Sequence, residues 1–273
     1  MAALEYASWL FPDASITAIH VIDPGYEWAE GPGWTEDWRD QARARADGIL
    51  DQAHDRAEEG GFEIDSDTLW GEPFRELLGH SSDADIDHIV MGSTGASSTG
   101  SIFLGGVAES VARRAEMPVT LVRDRSLDSA NSDPHRVLTA IDGSNVANHT
   151  LEYALEILPA AHHVAVTVCE SDIDTTADVT GTYLEEQCQR AEARARQTLD
   201  AASDIATARD IELETAIVFG RPPHAIIEFA EGNGIDHVFV GRRGLGSLRD
   251  IMLGSVAETV ARRAPMCVTI YRA

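Results

Sequence analysis

In the second half of the chain, short apolar runs alternate with longer stretches whose apolar residues recur every three or four positions. The runs Val137–Ile141, Val164–Cys169, Ile211–Phe219, Asp236–Val240 and Cys267–Tyr271 have the length of strands. Between them, Val146–Leu158, Tyr183–Ala208, Pro222–Glu231 and Ser255–Arg263 carry helical spacing, with Pro in the first turn of the third. Strands and helices that alternate strictly predict an α/β domain with a parallel sheet covered on both faces. Right-handed crossovers then make it an open, doubly wound sheet.

The first half repeats this unit. Leu104–Arg123, LGGVAESVARRAEMPVTLVR, aligns with Leu253–Arg272, LGSVAETVARRAPMCVTIYR, at an offset of 149. Asp87–Gly92 aligns with Asp236–Gly241 at the same offset, and Leu4–Ala7 with Leu151–Ala154 at 147. Two tandem domains follow, 1–123 and 136–273, joined by the polar, turn-forming linker 124–135. The first copy begins inside its first helix, so its first strand is absent from the sequence. That strand belongs in the middle of the sheet, and its loss exposes backbone donors and acceptors on both neighbours. A natural protein that begins upstream, or a distorted first lobe, is the expectation.

Chemistry concentrates in Val240–Ser255, VGRRGLGSLRDIMLGS. A strand feeds Gly241 and Gly244, and Gly254–Ser255 opens a helix. Glycine lets backbone N–H groups approach an anion closely, and a helix N-terminus offers unpaired donors and a positive dipole end. Ser255 is placed at the N-cap, where it can cap its own helix or give its hydroxyl to a phosphate. Arg242, Arg243 and Arg249 add cations whose forked donors suit phosphate. Spacing alone does not separate this reading from a glycine-rich turn with solvated arginines.

The pattern G-x2-G-x9-G-[S/T] after a strand resembles the nucleotide-binding motif of the ATP-binding branch of the universal stress protein family. So does an Asp at the end of the first strand, here Asp142 in VLTAIDGS. The resemblance covers 136–273 as a full domain and 1–123 as a partial one. It implies two tandem Rossmann-like domains with strand order 3-2-1-4-5, the first lacking its first strand. Ligands of such sheets bind at the switch point beyond the carboxyl ends of strands one and four. Asp142 then accepts from an adenine amino group or ribose hydroxyls, and Ala140 and Val168 supply backbone or apolar contacts to the base. Gly241 and Gly244 allow close approach to ribose and the first phosphates, flanked by Arg242 and Arg243. Gly254, Ser255 and Val256 present helix N–H groups to the outer phosphates of ATP, which Mg²⁺ can bridge. Asp142 capping the following helix is the structural alternative.

The first copy keeps Gly92, Gly95 and Gly105, but Gly106 replaces the hydroxyl residue, and Ser93 and Thr94 replace the arginines. With no matching Asp, it is not expected to bind ATP, which leaves a shared or vestigial site. Pro24–Trp38, rich in Trp and Gly, reads either as a lid that stacks on a base or as rings packed on neighbouring helices.

Composition narrows the setting. The 273 residues carry a formal charge of −25, and none of the 21 basic residues is Lys. At about 1 M salt the Debye length falls to about 3 Å, which screens such self-repulsion. The acids are spread along the chain, so a salty cytoplasm explains them better than one cationic partner. Nucleic acid is not an expected partner, since phosphate contacts need basic patches. Three cysteines, Cys169, Cys188 and Cys267, form no zinc spacing or disulfide framework. The N-terminus lacks a signal-peptide pattern and no run approaches the length of a membrane span, so no membrane is expected and the location reads as cytoplasmic. No catalytic residue or protein metal site is assigned, and the absence of Lys excludes Schiff-base chemistry.

The leading expectation is an ATP-dependent stress-response regulator that acts through conformation or through unidentified protein partners. A slow ATPase or adenylate-chemistry enzyme, and a dimeric scaffold that binds no nucleotide, are the alternatives. In the resembling family, domains pair through their last strands. Val119–Val122 and Val268–Tyr271 would then make an intrachain pseudo-dimer, with further homodimerisation left open.

Overall fold

The computed structural model describes residues 2–25, 36–94, 104–123, 136–170, 181–242 and 253–272. The linker 124–135, most of the Trp-rich loop, and the glycine-loop residues Arg243 and Gly244 lie outside these. Two compact units part between Val122 and Arg123.

The second unit contains β5 (Arg136–Ala140), α5 (Asn145–Ile157), β6 (His162–Cys169), α6 (Gly181–Thr207), β7 (Leu213–Phe219), α7 (Pro222–Gly232), β8 (His237–Gly241), α8 (Ser255–Arg263) and β9 (Cys267–Tyr271). Every expected element is present, with ends within two residues of those read from the sequence. The five strands are all parallel in the order β7-β6-β5-β8-β9, which is 3-2-1-4-5. Helices α5 and α6 pack together, as do α7 and α8, and each pair covers one face of the doubly wound sheet. The apolar runs are buried as a parallel sheet requires: Val137, Leu138, Val238 and Phe239 are each 0% exposed. On the α5–α6 face the core is built from Leu151, Leu155, Ala165, Leu199, Ala202 and Ala206. Small residues along α6 let that long helix lie close to the sheet.

The first unit comprises α1 (Ala2–Leu10), β1 (Ile16–Ile22), α2 (Glu36–Gly60), β2 (Ile64–Trp70), α3 (Pro73–Asp83), β3 (Ile89–Gly92), α4 (Gly106–Arg114) and β4 (Val119–Val122). It repeats the second unit without the central strand. Strand β1 pairs in parallel with β2, and β3 with β4. Among the described residues of this unit no strand joins β1 to β3. The difference shows in burial. Ile89, Val90 and Met91 of β3 are partly exposed, whereas their counterparts Val238, Phe239 and Val240 are at 0, 0 and 2%. Helix α1 packs on β1, β3 and β4 through Tyr6, Ala7 and Leu10 and closes one side of the gap. Of the Trp-rich stretch, Trp38 is described: it packs edge-on against Trp70 at 6.1 Å, beside Ile22 and Ala46.

Among the described residues no helix is long and apolar enough to cross a membrane, and no group of three or more His, Cys, Asp or Glu is placed to hold a metal ion.

Candidate functional site

The carboxyl ends of β5, β6 and β8 open into a cavity of about 850 Å³ within the second unit. That size lies inside the range of small-molecule sites. The cavity sits at the switch point, where the chain leaves β5 toward one sheet face and β8 toward the other. Of the residues singled out in the sequence, Ala140, Asp142, Val168, Gly241, Arg242, Gly254, Ser255 and Val256 all line it. Three segments far apart in the chain are thereby brought to one space.

Asp142 lies two residues beyond β5, on an exposed turn. Its Oδ1 accepts a hydrogen bond from the Ser144 backbone N–H at 2.9 Å. It does not cap α5. That cap is Ser144, whose hydroxyl oxygen accepts from the Ala147 N–H at 3.1 Å. The turn works because Gly143 has φ +83°, a conformation open to residues without a Cβ. The structural alternative for Asp142 is thus replaced by a short Asx turn that holds the carboxylate at the cavity rim.

Two backbone bonds fix the described ends of the glycine motif. The N–H of Gly254 donates to the carbonyl of Arg242 at 2.8 Å, and the N–H of Arg242 donates to the carbonyl of Tyr271 at 2.8 Å. The loop between residues 242 and 254 therefore leaves and returns at a single point. The first unit repeats the clasp, with Gly105 donating to the carbonyl of Ser93 at 2.8 Å and Ser93 to that of Val122 at 3.0 Å.

Two sequence expectations change here. The N-cap of α8 is Gly254, not Ser255, which is the first helical residue. The Gly254 N–H is also already committed to Arg242, so it is not a donor for phosphate. The donors left by the helix start are the N–H groups of Ser255, Val256 and Ala257, and all three residues line the cavity. The Ser255 hydroxyl does not cap the helix, and the residue is exposed.

Arg242 departs from the expectation of a solvated cation, being only 3% exposed. Arg243 and Gly244 fall outside the described residues. The sequence reading missed the wall that α6 contributes through Ala191, Arg194, Ala195 and Thr198. It also missed Pro222 and Ile226 of α7, and Glu170 after β6. The four α6 residues fall at i, i+3, i+4 and i+7, one helix face, but only the fold shows that this face meets the cavity. The arrangement offers an apolar floor, an exposed carboxylate, a helix N-terminus and arginine. This suits an anionic ligand with a flat polar ring. No nucleophile–base pair stands within the described cavity lining.

The sequence pattern of the universal stress protein family matches this chain twice, over residues 1–123 and 134–272. Universal stress protein YxiE of Bacillus subtilis is 27% identical over 146 residues, which cover 50% of this chain and 99% of that protein. A universal stress protein of Mycobacterium bovis is 26% identical over 283 residues, covering 97% of this chain and 92% of its own. The crystal structure of a universal stress protein from Archaeoglobus fulgidus aligns with a TM-score of 0.73 at 26% identity, covering 99% of this chain and 92% of that one.

Proposed function

The chain belongs to the universal stress protein family in its tandem form, and from that premise we propose that its second copy binds an adenine nucleotide and serves as an ATP-dependent stress-response regulator in a high-salt cytoplasm. The observation that carries this reading is the common cavity at the switch point, lined by Asp142, Gly241 and the start of α8. Asp142 accepts from the adenine amino group or the ribose hydroxyls. Ala140 and Val168 flank the base. Gly241 lies along the ribose and inner phosphates. The N–H groups of Ser255 to Ala257 and the Ser255 hydroxyl receive the outer phosphates, with Mg²⁺ bridging them. In this reading the protein's role is to bind and respond. The bound state is read by protein partners.

Calorimetric titration of the intact chain with ATP tests the reading. Binding is expected, and Asp142→Ala is expected to weaken it by about 10-fold or more, the loss of a hydrogen bond to a charged group. An intact, folded chain that takes up no ATP would sink the proposal. Phosphate release above background would favour a slow ATPase instead.

A further inference from the structure

Among the described lining residues, the cavity has one cation that the glycine motif does not supply. Arg194 stands midway along the α6 face that lines the cavity, between Ala191 and Thr198. It is exposed, and no ion pair or hydrogen bond holds its guanidinium among the described residues. Its helix offers it no acid either, because the positions one turn away are Arg190, Ala191, Gln197 and Thr198. Oppositely charged partners at that spacing stabilise a helix, and like charges do the reverse.

Several other arginines of the chain are matched. Arg196, two residues on, pairs with Glu192 at 3.2 Å. Arg113 pairs with Glu109, Arg262 with Glu258, and Arg136 with Glu214. With 46 acids against 21 arginines, a cation left unmatched on a cavity wall runs against the composition. A guanidinium fork fits phosphate oxygens, and α6 belongs to the helix pair across the sheet from α8. A nucleotide seated on the α8 N-terminus would therefore have Arg194 on its other flank.

We propose that Arg194 reads the phosphate charge of the ligand and makes the site discriminate ATP from adenosine. This deepens, and rests on, the nucleotide reading of the same cavity. Arg194 supplies charge where the helix N-terminus supplies only backbone dipoles. The pocket for the base is left to Asp142 and the strand ends. Loss of the guanidinium therefore removes affinity in proportion to phosphate number and leaves the nucleoside unaffected.

The test is a titration of the full chain with ATP, ADP, AMP and adenosine, at a salt concentration where circular dichroism shows it folded. Arg194→Ala is expected to weaken ATP by about 10-fold, ADP and AMP progressively less, and adenosine not at all. Arg194→Lys should restore part of the ATP affinity. The dependence of ATP affinity on salt should be shallower in Arg194→Ala than in the wild type. Arg45→Ala, at the matching position of the first copy, should leave ATP binding unchanged.

Unchanged ATP affinity in Arg194→Ala, beside a wild type that binds, overturns this inference and leaves the nucleotide site standing. An equal loss for adenosine, or an equal effect of Arg45→Ala, also overturns it, because the effect is then structural. Failure of the wild type to bind any of the four ligands overturns the nucleotide reading and this inference with it.

Discussion

Gly143 shows how much of the site depends on single positions. Its backbone is left-handed, and a Cβ placed there would lie 3.2 Å from the Thr198 hydroxyl of α6. Gly143→Ala is expected to lower stability by about 1–2 kcal/mol from the backbone strain alone, with a further steric push on the cavity wall. Denaturant unfolding compared with wild type measures it, and an unchanged midpoint would contradict the assignment. At this scale the sequence was readable for position, since Asp142, Gly241 and Gly254 line one cavity. It was not readable where a role depends on a neighbour distant in sequence. The committed N–H of Gly254, the burial of Arg242 and the cavity-facing side of Arg194 are each set by packing. Ser255 was misplaced because a Ser at a helix start normally caps it, whereas here the backbone clasp puts Gly254 one residue earlier as the cap.

At the scale of elements, the fourth and fifth strands of both copies are bound by the same His–Thr pair, buried in the second copy and partly buried in the first. His237 Nε2 lies 2.7 Å from Thr269 Oγ1, and His88 Nε2 lies 2.8 Å from Thr120 Oγ1. Burial against neighbours that include the Phe11 ring, 4.7 Å away, pulls the His88 pKa down from 6.5 to about 3. Between those values the unfolded chain binds a proton that the folded chain refuses. Stability contributed by neutral His88 is therefore complete above pH 6.5 and declines as pH falls, by up to about 1.4 kcal/mol per unit. Urea midpoints at pH 7 and pH 5 should fall more steeply for wild type than for His88→Asn. Equal pH dependence of the two would show that His88 is not the group responsible. The order and type of the elements were legible because each apolar run has strand length and each intervening segment has helical period. The ends were less so: β6 begins at His162, ahead of its apolar run, because pairing with Arg136 of β5 extends it.

At the scale of the whole molecule, charge is the dominant feature of the composition. A formal −25 with no lysine gives repulsion that compact folding concentrates and salt screens. The apparent melting temperature is expected to rise by several degrees between about 0.2 M and 2 M KCl. A melting temperature that falls or stays level would remove the high-salt setting from the proposed function. The missing central strand of the first unit was legible from repeat arithmetic alone. The extra exposure of β3 is its physical counterpart.

The twin clasps, Arg242 to Gly254 and Ser93 to Gly105, carry a consequence for how such a chain can diverge. Each pins the two ends of an intervening segment of equal length to the same frame, so the segment behaves as an exchangeable cassette. Its letters can be rewritten without retuning the sheet beneath. Duplicated copies can thus drift apart in chemistry while their architecture stays in register.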